Sequence, residues 1–257
     1  HLHPASLPDG SRRDRHDDID SQFETLFSDD NWTKHKDVIC AAGEIGLDLH
    51  WDKSRIDDQR KLLVKQINWA MERDLPVLLH IRDAMSEFLE LCHSSLDAMS
   101  QANGKRLRGI LHCYSGSVEQ AKESLKHGDF LFGIGGTLTY KKSTVPDVAR
   151  AIGLERIVLE TDAPYLSPVP YRGKRNDSRN IAYTAERIAE IKGMDAQELI
   201  DILGKYGVHA TFFVVGFWAE KFPESVKALH DAGHEVMTHS DDHAHFASLS
   251  SGQIISN

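Results

Sequence analysis

The sequence predicts an α/β chain whose strands run parallel in a TIM-like (βα) barrel. Three observations carry that expectation. Short strand-like runs recur at regular intervals, amphipathic stretches separate them, and polar groups able to do chemistry fall toward the ends of the runs. Strand then helix, repeated, builds a parallel sheet covered by helices. A closed barrel of such units carries its active site at the carboxyl ends of its strands.

Residues 5–36 ("SLPDGSRRDRHDDIDSQFETLFSDDNWTKHKD") are polar and charged, with one weak helical patch around Ile19 to Phe27. Strand-like runs then follow at "DVICAAGEIGLD", "LPVLLHIRD", "LRGILHCYSG", "GDFLFGIGG" and "ERIVLETDAPY". Between them, stretches such as "DDQRKLLVKQINWAMERD" and "SVEQAKESLKHG" repeat apolar residues at helical spacing. The alternation continues past residue 200. "DAQELIDILGKYG" reads as a helix ending at a glycine, "VHATFFVVG" as a strand, "FPESVKALHDAG" as a helix and "HEVMTHS" as a further strand. These seven runs, with "HLHP" as the stub of an eighth, suit a barrel of about eight strands. The joint near Ile202 to Lys205 falls within or just after a helix, with no flexible linker. One barrel over residues 1–257 is therefore expected rather than two domains.

Composition narrows the function. At 257 residues, with 40% hydrophobic and 27% charged residues, the chain has the make-up of a soluble globular protein with one large core. There is no apolar run of bilayer length, and "HLHPASLPDG" has neither the basic start nor the apolar region of a signal peptide. Cys40, Cys92 and Cys113 are an odd number without paired spacing, which points to reduced thiols in a cytoplasmic setting. A net charge of −9 argues against a protein that coats nucleic acid through a general basic surface. It leaves room for an enzyme that holds a nucleic-acid end locally, because divalent cations offset the carboxylates around them. No protein partner is evident.

Four residues stand out from residue 44 onward. Glu44 lies in "AAGEIGLD", His80 in "PVLLHIRD", His112 in "GILHCYSG" and Asp162 in "VLETDAPY". Any one alone reads more simply as a satisfied histidine or a capping carboxylate. Two imidazoles and two carboxylates converging on one barrel mouth could hold one or two divalent ions and polarise a substrate oxygen. Arg172, Lys174 and Arg175 in "YRGKRN" form a local cationic loop in an otherwise acidic protein. The arginine fork suits phosphate oxygens, although so short a cluster alone would be a solvated loop. Arg82 and Asp83, next to His80, read as residues that buttress the site.

The segments "AAGEIGLDLHWD", "LPVLLHIRDA", "GILHCYSGS", "FGIGGTLTYKKS", "VLETDAPYLSPVPYRGKRN" and "IAYTAERIAEIKG" resemble successive signature segments of the TatD family of metal-dependent deoxyribonucleases. The resemblance implies a TIM-like barrel, magnesium or manganese as cofactor, and hydrolysis of phosphodiesters at DNA ends. It implies Glu44 as the central carboxylate and His80 and His112 as further ligands. Asp162 would be a ligand that also orients or deprotonates the attacking water. The family's first strand carries a His-x-His pair, and "HLHP" is too close to the "GEIGLD" strand for that slot. It fits instead the family's later "G-x-HP" motif, with His3 as a substrate-facing group. On this reading residues 1–203 are a TatD-like portion without the family's first two βα units.

Residues 204–257 resemble an internal piece of the NodB-type polysaccharide deacetylases, in "ATFFVVG", "ALHDAGHE" and "HSDDH". That resemblance implies His239 and His243 as ligands for zinc or a similar ion. The aspartate pair that such deacetylases place before "ATFFVVG" is missing, and so are their later strands. The chain thus reads as a chimeric barrel in which two C-terminal βα units close the ring. The expected function is hydrolysis of DNA ends. The alternatives are a polysaccharide deacetylase, and an inactive or weakly active chimeric scaffold.

Overall fold

The computed structural model describes residues 23–24, 27–50, 53–194, 211–214, 220, 223–231 and 235–238. The contacts divide the chain into two units, one built around residues 23–199 and the other including residues 200–257.

The first unit is a five-stranded parallel sheet in the order β1-β2-β3-β4-β5: Ala42–Asp48, Val77–Arg82, Leu107–His112, Gly128–Ile134 and Ile157–Leu159. Strand neighbours in space are neighbours in sequence, as in successive βα units. Helices α1 (Asp29–His35), α2 (Ile56–Glu72), α3 (Met85–Leu91), α4 (Asp97–Asn103), α5 (Val118–His127), α6 (Val145–Ala151) and α7 (Ile181–Lys192) lie before, between and after the strands. Strands of a parallel sheet are covered on both faces and read as nearly continuous apolar runs. Ile45, Leu47, Leu79, Leu111, Phe130 and Phe132 are fully buried accordingly.

The helices turn apolar stripes toward this sheet. In α2 the buried residues Leu62, Leu63, Gln66, Ile67, Ala70 and Met71 recur at three- and four-residue spacing. Local signals set the ends. Ser117 and Gln120 form a reciprocal capping box at the start of α5. Gly104 and Gly193 take the left-handed conformation that ends α4 and α7.

The polar segment before β1 contains more structure than its composition suggests. Ser28 caps α1 by accepting the Asn31 N–H, and Phe27 and Trp32 both meet Trp69 edge to face. Arg73 lies 4.5 Å from the Trp69 ring and pairs with Asp29. A few aromatic anchors thus hold a hydrophilic stretch whose average hydropathy conceals them.

Two close approaches bring β1 and β2, and β4 and its neighbouring loop, together. Gly46 is in register with His80, and a Cβ on it would lie 1.8 Å from the His80 carbonyl oxygen. At Gly136 a Cβ would meet the Leu166 carbonyl at 2.1 Å, so the loop after β5 can lie directly on the end of β4.

The second unit is described as a βαβ element. Strands β6 (Thr211–Val214) and β7 (Glu235–Thr238) pair in parallel, with α8 (Pro223–Asp231) between them in sequence. All seven strands fall within the runs expected from sequence. The helix expected over 195–207 lies outside the described residues. Among those residues no helix is long and apolar enough to cross a membrane.

One buried side chain joins helix to strand where the chemistry begins. The Gln59 amide oxygen accepts the Asp48 N–H at 2.7 Å, while its amide nitrogen donates to the Asp48 carbonyl at 3.0 Å. Removing the amide leaves both backbone groups without those partners, at about 1–3 kcal/mol for each buried group stranded. Gln59→Ala is expected to lower the urea-unfolding free energy by about 2–6 kcal/mol on that basis. A change within ~0.5 kcal/mol, the range of ordinary surface substitutions, would show that the latch bears no weight.

Candidate metal centre

Side chains alternate along a strand, so Glu44, Gly46 and Asp48 of β1 share one face. Glu44 is the third residue of the strand rather than its last, because β1 runs on through Ile45 and Leu47 into the core. Asp48 holds the carboxyl end. In β2 and β3, His80 and His112 are in register on adjacent strands.

The His112 imidazole is the hub. Its Nε2 lies 3.2 Å from Glu44 Oε1 and 3.4 Å from Asp162 Oδ1, and its Nδ1 is 2.7 Å from Glu160 Oε2. The other oxygen of Glu160 accepts the Cys113 backbone N–H at 2.5 Å. One carboxylate therefore grips both the ring and the backbone beside it. Burial by itself would disfavour the imidazolium. The Glu160 charge, followed by Cys113 and the Asp162 contact, outweighs burial and raises the His112 pKa well above its ordinary value. The Cys113 thiol moves upward too, through burial first and then the Glu160 charge.

A second pair lies alongside. His80 Nε2 is 3.1 Å from Asp48 Oδ2, and the other Asp48 oxygen accepts the His50 N–H at 2.8 Å. Burial pushes the Asp48 carboxyl up. The His80 contact, the His50 N–H and the nearby Arg82 charge together hold it below its ordinary value. Asp83, expected beside the site, meets His50 Nδ1 at 3.1 Å.

The backbone is strained at the same places. Asp83, Cys113 and Asp162, which follow β2, β3 and β5, all have left-handed φ angles of 54°, 45° and 47°. Non-glycine residues pay for that conformation, and such strain gathers where geometry serves a site.

Beyond Asp162 the loop is organised by Asn176, a buried residue inside the "YRGKRN" motif. Its amide donates to the Thr161 and Tyr165 carbonyls, and its N–H donates to Pro164 at 2.8 Å. The three cations expected for phosphate are on this loop and all exposed. Arg172 packs 4.3 Å over the Tyr140 ring, and Lys174 lies 5.9 Å from the Tyr171 ring. Tyr165, Leu166, Val169 and Tyr171 are exposed in the same segment.

Of the residues expected to form the site, the structure brings together Glu44, His112 and Asp162, with His80 on the adjoining strand. His3, His239 and His243 lie outside the described residues. Sequence reasoning missed Glu160, Asp48 and Cys113. The signal was a spacing of two: Glu160 precedes Asp162 by two residues, and in β1 Asp48 shares the parity of Glu44.

The donor set suits a divalent cation. One imidazole nitrogen faces two carboxylate oxygens within 3.4 Å, and ligand atoms of His112, Cys113 and Asp162 lie within 4.8 Å of one another. Glu160 on the far ring nitrogen would fix the tautomer that presents Nε2 to an ion. Glu160→Gln keeps an oxygen for the Cys113 N–H but loses the charge behind His112. It is expected to weaken manganese binding about 10–100-fold, read by paramagnetic resonance, with the far-ultraviolet circular dichroism unchanged. The lowered Asp48 pKa gives a second expectation. Its stabilising contribution is complete above the ordinary carboxylate pKa of about 4 and is lost as pH falls through the lower folded value. Asp48→Asn should therefore flatten the acid limb of stability below about pH 4.

The profile of the TatD related DNase family matches residues 2–205, and that of the polysaccharide deacetylases matches residues 175–257. Among curated proteins, the uncharacterized metal-dependent hydrolase YabD of Bacillus subtilis is 38% identical over 187 residues, 72% of this chain and 70% of YabD. YcfH of Escherichia coli K12, another uncharacterized metal-dependent hydrolase, is 32% identical over 165 residues, 64% of this chain but only 59% of its own length. The chain thus spans under two thirds of some relatives. Among solved structures, the TatD homologue YJJV of Escherichia coli has a TM-score of 0.63 at 29% identity, over 79% of this chain and 72% of that one. A TatD-family hydrolase from Entamoeba histolytica shares the fold, with a TM-score of 0.57 at 23% identity over 78% and 69%. The chain, an α/β protein of the TIM-barrel hydrolase type, belongs to the TatD family of metal-dependent hydrolases.

Proposed function

We propose that the protein hydrolyses phosphodiester bonds at DNA ends with magnesium or manganese as its cofactor. The observation that carries this reading is the meeting of Glu44, His112 and Asp162 around one point, with Glu160 fixing the imidazole from behind. Glu44, His80, His112 and Asp162 hold the ion. When bound, the ion supplies Lewis acidity toward a phosphate oxygen and makes a neighbouring water easier to deprotonate.

The protein's own groups do the rest. The Asp162 side chain is 31% exposed, against 11% for Glu44 and 15% for His112, so it is the cluster member facing solvent. Its oxygen turned away from His112 accepts the water proton. Arg172, Lys174 and Arg175 draw the scissile and neighbouring phosphates to the loop after Asp162. Tyr165 and Tyr171, exposed on that loop, offer rings on which unpaired bases stack, which suits a frayed or single-stranded end.

On the same reading, residues 204–257 form the polysaccharide-deacetylase-like part of a chimera. In that part His239 and His243 are the residues proposed as metal ligands. The deacetylase match over residues 175–257 supports a shared ancestry for this part. Metal content of His239→Ala tests that role: a variant that holds as much metal as wild type would leave His239 without one.

With manganese or magnesium, the purified chain should shorten single-stranded oligonucleotides. Glu44→Ala should cut the rate at least 100-fold. Arg172→Ala should raise KM about 10-fold with kcat little changed, equivalent to ~1.4 kcal/mol of uniform phosphate binding. Intact oligonucleotides beside a degrading TatD control would instead favour an inactive scaffold, and acetate release from acetylated chito-oligosaccharides would favour deacetylation.

A further inference from the structure

A second cluster of ligand-type side chains lies on the helical side of the first unit. Helix α3 does not simply end at Leu91. It passes through a π-helical turn, Cys92–Leu96, in which the Asp97 N–H reaches back five residues to the Cys92 carbonyl before α4 begins. Wide turns of this kind are uncommon and often mark functional places. Here the turn brings both His93 and Asp97 to a histidine of another helix, His127, near the end of α5.

His127 is 6% exposed, and its two ring nitrogens are treated very differently. Nδ1 donates to Asp97, with both carboxylate oxygens at 2.9 Å. Nε2 is buried and has no hydrogen-bond partner among the described residues. In the neutral ring, with Nδ1 donating to Asp97, Nε2 presents a lone pair. A buried polar atom left in that state calls for a partner.

What surrounds that lone pair is a ligand set. Glu123, one helical turn earlier on α5, holds Oε1 at 3.7 Å from His127 Nε2 and 3.6 Å from His93 Nε2. The other Glu123 oxygen is engaged by Lys126 at 2.5 Å, so Oε1 is the one left facing the imidazoles. One donor atom from each of His93, Glu123 and His127 falls within 4.8 Å of the others. Around a tetrahedral zinc ion with ligands at about 2.0–2.1 Å, neighbouring donor atoms sit roughly 3.3 Å apart. The two Glu123 spacings need only a few tenths of an ångström of closure, and a ligand atom of each imidazole lies within 4.8 Å of the other's. His93 is 58% exposed, which gives an ion its entry path and room for a water as fourth ligand.

From this geometry we infer that His93, Glu123 and His127 form a second metal site, for a zinc-class divalent ion, with Asp97 as its orienting carboxylate. The carboxylate–histidine pair behind the lone pair is the arrangement that fixes the tautomer of metal-bound histidines. Two imidazoles and one carboxylate favour zinc, cobalt, nickel or copper over magnesium, whereas the Glu44 centre is richer in oxygen donors. The two sites are therefore chemically separable. Bound there, the ion ties the π-helical turn to α5, and it belongs to neither the proposed phosphodiester chemistry nor its substrate.

The test uses the full chain in excess magnesium, with zinc titrated in and bound zinc counted after equilibrium dialysis. His93→Ala is the primary variant because His93 is exposed and its loss leaves the core intact. Wild type is expected to retain one more zinc equivalent than His93→Ala, or to bind that equivalent at least 30-fold more tightly. Zinc should raise the wild-type melting temperature by more than it raises that of His93→Ala. Asp97→Asn should weaken the same equivalent about 10-fold. Cobalt in its place should give the visible absorption of a tetrahedral site in wild type and in Glu44→Ala, but not in His93→Ala. Equal zinc content and equal thermal shifts in wild type and His93→Ala would overturn the proposal. So would an equivalent that disappears in Glu44→Ala and survives in His93→Ala.

Discussion

The first unit depends on one imidazole held between opposing demands. Glu160 holds His112 from one side, while Glu44 and Asp162 face its other nitrogen at 3.2 and 3.4 Å. Three carboxylates around one ring are costly in a partly buried cleft unless positive charge is present. The upward shift of His112, driven by Glu160 against the penalty of burial, expresses that demand as proton affinity. A cation answers the same demand, which is why geometry that would be poor as packing makes sense as a binding centre.

The rest of the unit can be read as the means of holding that ring still. Gly46 lets β1 approach His80, and Gly136 lets the loop after β5 lie on β4. Asn176 ties the start of that loop together, and Gln59 locks the end of β1 to α2. The left-handed residues Asp83, Cys113 and Asp162 sit where the chain leaves its strands. Each stores strain that the flanking β-ladder over-determines. Rigidity is needed because misplacing a catalytic group by about 1 Å can cost ~100-fold in rate.

Much of this was legible in the sequence, and what was not has physical reasons. The strand-like runs covered all seven strands of the described residues, and the residue types fit for cations picked out Glu44, His112 and Asp162, which the structure brings together. Glu160 escaped because it reads as one more charge beside Asp162, and only its contact with His112 Nδ1 reveals its part. Asp48 escaped because nothing in the sequence pairs it with Gln59 and His80, which make it a buried junction. Helix α1 was hidden by its charge, since its attachment rests on Phe27, Trp32 and the distant Trp69. The π-helical turn has no sequence signature, so the pairing of His93 with His127 could not be read from spacing.

A net charge of −9 coexists with three exposed cations on the loop after Asp162. Anomalous diffraction from crystals soaked in manganese addresses the central claim most directly. The account predicts a peak within bonding distance of Glu44, His112 Nε2 and Asp162, with Glu160 still on His112 Nδ1. A peak coordinated elsewhere, or His112 turned away from Glu44 with the cluster saturated by manganese, would contradict it.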